Sequence, residues 1–329
     1  MTLLEIRDLS LTYRTKQAEI PAVRGVSLQV AAGETLGLAG ESGCGKSTLA
    51  STVLRLYPKS ARVTGQVLLD GVDTLTMSWG QLRAVRWSTA SVVFQGAMHS
   101  LDPLQKVGKQ LAEPILVHDS TATPGSARKR VADLLEQVSL PARVADSYPH
   151  QLSGGQKQRV MIALALGCGP RLIVADEPTT ALDVMVQAQV LALLSRIVRE
   201  LGVGLMIISH DLSVLGEQAD RVAVMYAGQI VEEGPGGQVF RDPRHPYTRA
   251  LAGAFPTIGD RASRYAPSGL DGDPPDPSDL PTGCSFHPRC RDAVASCAEQ
   301  APELLPVSTD RAAACLLLPR TATEPKGTT

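Results

Sequence analysis

One nine-residue stretch restricts what this chain can fold into: Gly40-Glu41-Ser42-Gly43-Cys44-Gly45-Lys46-Ser47-Thr48. It fits the phosphate-loop pattern G-x-x-x-x-G-K-(S/T). The apolar run Thr35-Leu36-Gly37-Leu38-Ala39 before it reads as a buried strand. The run from Lys46 to Leu56 after it, free of Pro and Gly, reads as a helix. In that setting the glycines let backbone N–H groups wrap a phosphate, and the helix N-terminus adds positive potential. Lys46 is expected to reach the β- and γ-phosphates, and the Ser47 hydroxyl to ligate Mg²⁺. A Gly-rich turn without a ligand is the alternative, and the flanking strand and helix weigh against it. The stretch implies a nucleotide site in an α/β fold.

The 329 residues leave room for one large α/β domain plus an appendage. A formal net charge of −1 provides no global basic field, so nucleic acid is not expected as a partner. No apolar run approaches ~18 residues, and the N-terminus lacks the pattern of a signal peptide. The best apolar stretch, Val160 to Gly169, stops at Pro170. A soluble, cytoplasmic chain is the expectation.

Along the chain, residues 3–8 and 25–30 read as short strands with partial period-two alternation. Tyr13 lies between them, and position alone leaves it a core or edge aromatic or a platform for a base. Arg62 to Asp70 is a strand closed by the turn Asp70-Gly71, and Ala90 to Phe94 is a buried strand ending at Gln95. Gln95 either points toward Mg²⁺ or its water, or is a solvated strand end. Residues 105–150 switch to helical patterns with breaks at Pro114, Pro124, Pro141 and Pro149. Ser153 then stands as an N-cap before Gly154-Gly155, whose backbone can face an anion, and a helix runs from about Gln156 to Leu166.

The next strand, Leu172 to Ala175, ends in Asp176-Glu177. Beside a phosphate loop, Asp176 can hold Mg²⁺ through its water shell, and Glu177 can orient or deprotonate an attacking water. A helix over about 186–201 leads to a strand at 203–208 that ends in Ser209-His210. His210 there is within plausible reach of a γ-phosphate. Strands near 221–226 and 229–233 follow, and the alternation implies a largely parallel central sheet.

Taken together these motifs resemble the ATPase subunits of ABC transporters, over nearly all of residues 3–255. Leu152-Ser153-Gly154-Gly155-Gln156 is that family's signature pentapeptide. The resemblance implies that Tyr13 stacks on the base, Gln95 contacts Mg²⁺ and water, Glu177 is the catalytic base and His210 senses the γ-phosphate. It places Asp183 in the loop that couples two nucleotide sites. It also implies that each ATP lies between the phosphate loop of one subunit and the signature of another, so a second ATPase subunit is required. A narrower likeness, to the oligopeptide/dipeptide/nickel permease branch, rests on three stretches. These are Glu177-Pro178-Thr179-Thr180-Ala181-Leu182-Asp183-Val184, Ser100-Leu101-Asp102-Pro103, and Asp242-Pro243-Arg244-His245-Pro246-Tyr247-Thr248. That branch implies a paralogous ATPase partner, two membrane-spanning permease subunits and an extracytoplasmic solute-binding protein. It places the chain peripherally on the cytoplasmic face of the plasma membrane. Cys44 replaces a frequent Ser, and a thiolate beside a phosphate site is expected to be favoured.

The expected division is an ATPase domain over 1–256 with a helical subdomain over about 105–168, a Pro/Gly-rich linker over 257–283, and a C-terminal extension over 284–329. The extension carries Cys284, Cys290, Cys297 and Cys315, spaced unlike a zinc ribbon. Spacing alone leaves a 4Fe–4S cluster, zinc and unliganded thiols open, with His287 as a further zinc ligand. The permease branch has the Cys-x-Phe-x-Pro-Arg-Cys pattern found here, and the resemblance implies the cluster. The functional expectation is ATP hydrolysis to ADP and phosphate that energises import of di- or oligopeptides. Nickel, a sugar, or a soluble ATPase that moves no solute are the alternatives.

Overall fold

A computed structural model describes residues 2–16, 18–96, 100–180, 182–254 and 270–319. The first part of the expected linker, 257–269, lies outside the described residues. Strands β1 (Thr2–Arg14) and β2 (Glu19–Ala31) form a long antiparallel hairpin. With β4 (Arg62–Leu69) and β5 (Val72–Asp73) it makes a four-stranded sheet ordered β2-β1-β4-β5. The two strands run well past the short apolar windows seen in sequence. Their outer residues pair through backbone bonds that need no apolar pattern.

The central sheet contains β3 (Thr35–Ala39), β6 (Ala90–Val93), β7 (Leu172–Asp176), β8 (Gly204–Ser209), β9 (Arg221–Tyr226) and β10 (Gln229–Pro235). Beyond β10 come β12 (Arg311–Ala313) and β11 (Leu305–Ser308), giving the order β11-β12-β10-β9-β3-β8-β7-β6 among the described residues. The strands β9, β3, β8, β7 and β6 are parallel, so the ends of β3, β6, β7 and β8 open on one edge. Such an edge is where ligands bind in open α/β sheets. At its far side the chain's tail joins the same sheet, with Glu232 opposite Ala313.

Strand side chains alternate between two cores. Leu36, Leu38, Val174, Met206 and Ile208 face the antiparallel sheet and α1 (Lys46–Val53). Ile173, Ala175, Leu205 and Ile207 face α5 (Gly154–Ala165), α6 (Val184–Leu201) and α7 (Leu212–Gln218). Each such buried aliphatic side chain contributes roughly 1.5–3 kcal/mol relative to exposure.

Between β6 and β7 the chain builds a helical region: α3 (Val107–His118), α4 (Pro124–Gln137) and α5. Thr123 caps α4 through a reciprocal pair with Ser126, and Pro124 sits at its first position, where a missing N–H costs nothing. Pro114 was expected to break a helix and instead lies inside α3. It falls in the final turns, near where the helix ends anyway, and its ring is buried.

Candidate functional site

The phosphate loop leaves β3 with Gly40 and enters α1 through Gly45, at φ 150° and 108°. A Cβ on Gly40 would stand 2.3 Å from the Met225 carbonyl oxygen, and one on Gly45 2.1 Å from that of Ala22. Only glycine fits both positions. Lys46 is buried, and its ammonium donates to the carbonyls of Gly40 and Glu41 at 2.7 Å each. Between them Gly43 turns at φ 81°, and Ser42 walls the cleft described below. The lysine thus ties the start of the loop to the helix that a phosphate would face.

Cys44 corrects an expectation. Its thiol is buried, and burial pushes its pKa up despite Lys46 Nζ at 3.7 Å. The protonated thiol is favoured there, not the thiolate.

Strand β7 delivers Asp176 beside Ser47. Burial raises the pKa of its carboxyl group, while a hydrogen bond from Ser47 acts in the opposite direction. Its Oδ1 is buried without a hydrogen-bond partner. An orphaned carboxylate oxygen is costly, and a hard cation held by Ser47 and Asp176 would supply the missing partner. The donor set fits Mg²⁺.

Glu177 follows at φ 44°, its N–H donating to the Ile208 carbonyl at 3.1 Å. Gln95 Nε2 and Thr180 Oγ1 each donate to Glu177 Oε2 at 2.8 Å, and His210 Nδ1 stands 3.6 Å from Oε1. Three strand ends, those of β6, β7 and β8, therefore converge on one carboxylate. The residues expected from sequence, Gln95, Glu177 and His210, come together. Thr180 was missed; its signal was a hydroxyl three residues after Glu177. Gln95, Glu177 and the loop border a cleft of ≈ 280 Å³ whose walls also include Tyr13, Ser47, Thr48 and Pro277. Tyr13 shares a 3.2 Å hydrogen bond with Thr48 and packs partly against the core, which bears out its reading as a core-edge aromatic.

The pentapeptide Leu152–Gln156 is not among the walls of this cleft. Ser153 caps α5: its hydroxyl accepts from Gln156 N–H at 3.3 Å, and Gln156 Oε1 accepts from Ser153 N–H at 3.0 Å. Asp183 caps α6 by accepting from Val186 N–H at 3.0 Å. A Cβ on Gly155 would meet Val186 Cγ1 at 2.6 Å, so the two helix starts touch. Beside them Val184 and Met185 are 78% and 72% exposed. Ser153 and Asp183 are exposed, and Gly154 is half-buried.

The four tail cysteines share one neighbourhood. Burial raises the pKa of Cys284, Cys290 and Cys315, and the other tail thiols add to each shift. The backbone N–H groups of Phe286, Asp292, Leu317 and Leu318 act the other way, lowering these values. Cys284 N–H also donates to Cys297 carbonyl at 2.8 Å. N–H groups that favour the charged form suit thiolates that ligate a metal centre. Among the described residues, no three His, Cys, Asp or Glu side chains are placed to hold a single ion. Arg289, beside Cys290, reaches back to Glu41 of the phosphate loop, a contact that the sequence pattern did not reveal.

Residues 23–180 match the ABC transporter family, and residues 231–297 match the C-terminal region of oligopeptide/dipeptide transporters. A protein of Brucella abortus named as a peptide import ATP-binding protein is 44% identical over 98% of this chain and 96% of its own length. The oligopeptide transport ATP-binding protein OppD of Mycobacterium tuberculosis is 43% identical over 95% of this chain, which spans 52% of that protein. A dimeric ATP-binding cassette solved in a post-hydrolysis state with ADP and Pi is 30% identical. It superposes with a TM-score of 0.64 over 71% of this chain and 98% of that one.

Proposed function

This chain belongs to the ABC transporter family of ATP-binding proteins, and from that premise we propose that it is the ATP-hydrolysing subunit energising an importer of di- or oligopeptides. The observation that carries the reading is the meeting of Gln95, Thr180 and His210 on the Glu177 carboxylate, at the mouth of the phosphate loop. In this reading Glu177 accepts a proton from the attacking water, and Gln95 and His210 orient that water and the γ-phosphate. Lys46 and the loop from Gly40 to Thr48 hold the phosphates, and Ser47, Asp176 and Gln95 would hold Mg²⁺, which would supply neutralising charge for the transferring phosphate. Tyr13 contacts the base.

Leu152–Gln156 and Asp183 act on an ATP bound by a second ATPase subunit, a paralogue in the permease branch. Support comes from their absence from the walls of the chain's own cleft and from the dimeric state of the related cassette. No described helix is long and apolar enough to cross a membrane. In this reading the work of hydrolysis passes to two separate membrane-spanning permease subunits, with this chain peripheral on the cytoplasmic face. The helical region would dock on them, a reading supported by its groove of ≈ 630 Å³ walled by Lys109, Ala112, Leu116, Arg128 and Val131. An extracytoplasmic binding protein delivers the solute. Peptide as cargo is supported by the match of the tail and by the relatives' names. Cys284, Cys290, Cys297 and Cys315 hold a 4Fe–4S cluster in this reading, with zinc as the competing occupant.

The test replaces Glu177 by Gln. ATP binding is expected to persist while hydrolysis falls by a factor on the order of 10²–10⁴. A variant that hydrolyses ATP at the original rate would remove Glu177 from the chemistry.

A further inference from the structure

The first variable residue of the phosphate loop is held from outside the loop. Arg289, its side chain 8% exposed, donates to both oxygens of the Glu41 carboxylate, at 2.7 and 3.0 Å. The same guanidinium donates to the carbonyls of Asp271 and Gly272 at 2.9 Å each. The Tyr247 hydroxyl, from α9 (Pro246–Gly253), accepts from Glu41 N–H at 2.9 Å. Tyr226, Tyr247 and Phe286 pack ring against ring, with centroids 4.6 to 5.3 Å apart. Phe286 and Arg289 lie within the cysteine segment, so its position is transmitted to Glu41 through packed rings and a two-pronged ion pair. Pro274, Pro275, Pro277 and Leu280 close over Glu41, Gly43 and Cys44, and Pro277 walls the nucleotide cleft.

We propose that Arg289 is a positioning residue for ATP binding, and that the C-terminal module sets the shape and charge of the phosphate loop through it. Two effects act together. The carbonyl of Glu41 is one of the two on which the Lys46 ammonium rests, so fixing Glu41 fixes the lysine's seat. The guanidinium also neutralises a carboxylate that would otherwise repel a triphosphate a few residues away. The inference rests on the reading that this loop binds ATP, and it holds whatever the four cysteines carry.

Coupling between two such parts of a molecule is commonly worth 5- to 150-fold in affinity, and a loss at the low end, about fivefold, is expected for this single pair. ATP binding with Mg²⁺ is measured by calorimetry on the full chain carrying Glu177→Gln, which prevents turnover. Arg289→Ala is expected to weaken ATP binding about fivefold, Arg289→Lys less, and Glu41→Gln added to Arg289→Ala to recover most of the loss. The rescue is a readout that general damage to the fold would not produce. Unchanged affinity in Arg289→Ala, or a double variant no better than the single one, overturns the proposal. Failure of the unsubstituted Arg289 chain to bind ATP would instead overturn the nucleotide-site reading. Should Arg289→Ala not fold, hydrogen exchange in the original chain decides. Linkage is reciprocal, so ATP must slow exchange over residues 284–297, and exchange unaffected by ATP rejects the coupling.

Discussion

Two kinds of cysteine environment coexist in this chain, and burial separates them. Cys44 sits inside the phosphate loop, yet its neighbours are the backbone of a tight turn and a lysine already engaged with two carbonyls. Desolvation outweighs the attraction of that lysine, so the thiol stays protonated and inert. Cys284, Cys290 and Cys315 are less buried and grouped, and backbone N–H groups partly offset the effect of burial. A cluster of that composition would stabilise the thiolates together. If the proposed cluster is present, protein purified without oxygen contains about four irons per chain with matching sulfide, and Cys290→Ser loses both. One zinc and no sulfide would reject the cluster. The meeting of Gln95, Glu177 and His210 beside the phosphate loop was foreshadowed in sequence because each follows a short apolar strand. Arg289 was not, because a guanidinium 248 residues from its carboxylate carries no local periodicity or motif of its own.

At the scale of elements, the parallel strands were the most legible part. β3 and β9 were found with their observed bounds, because strands buried on both faces read as unbroken apolar runs. β1, β2 and the tail strands were less so. β11 and β12 are only four and three residues long, too short for a period to show, and a buried ion pair ties β12 to β10. Arg311 Nη2 donates to Glu232 Oε1 at 2.7 Å, and both side chains are nearly solvent-free. The N–H groups of Arg244 and His245 donate to the same carboxylate. Arg311→Met would leave Glu232 buried with its charge uncompensated, a loss on the order of 3–5 kcal/mol. Chemical denaturation should show it as a lower midpoint, and Glu232→Gln in the same chain should restore part of it. A midpoint within error of the original would mean that the sheet edge does not depend on this pair.

Across the whole molecule, the tail and the ATPase body are joined where His245 is enclosed. Its Nδ1 accepts from Tyr247 N–H at 3.0 Å, and its other nitrogen bonds the backbone of Ala314 beside the last strand. The neutral ring satisfies both partners. A second proton would turn Nδ1 into a donor facing a donor, in a site that is 2% exposed. Burial accordingly lowers the pKa to about 4 from the ordinary 6.5. The sign follows from linkage. Between those values the unfolded chain binds a proton that the folded one refuses, so stability falls as pH falls through the window and is fully present above it. Going from pH 7 to pH 5 is expected to cost about 2 kcal/mol from this residue alone. The strain centres on the junction that also carries Phe286, whose ring lies 6.0 Å from that of His245. Acid should thus loosen the tail before the parallel sheet. Hydrogen exchange at pH 5 and pH 7, corrected for intrinsic rates, would show protection falling first over residues 284–319. Uniform loss across the chain, or a pH response unaltered in His245→Asn, would show that the junction is not where the molecule senses acid.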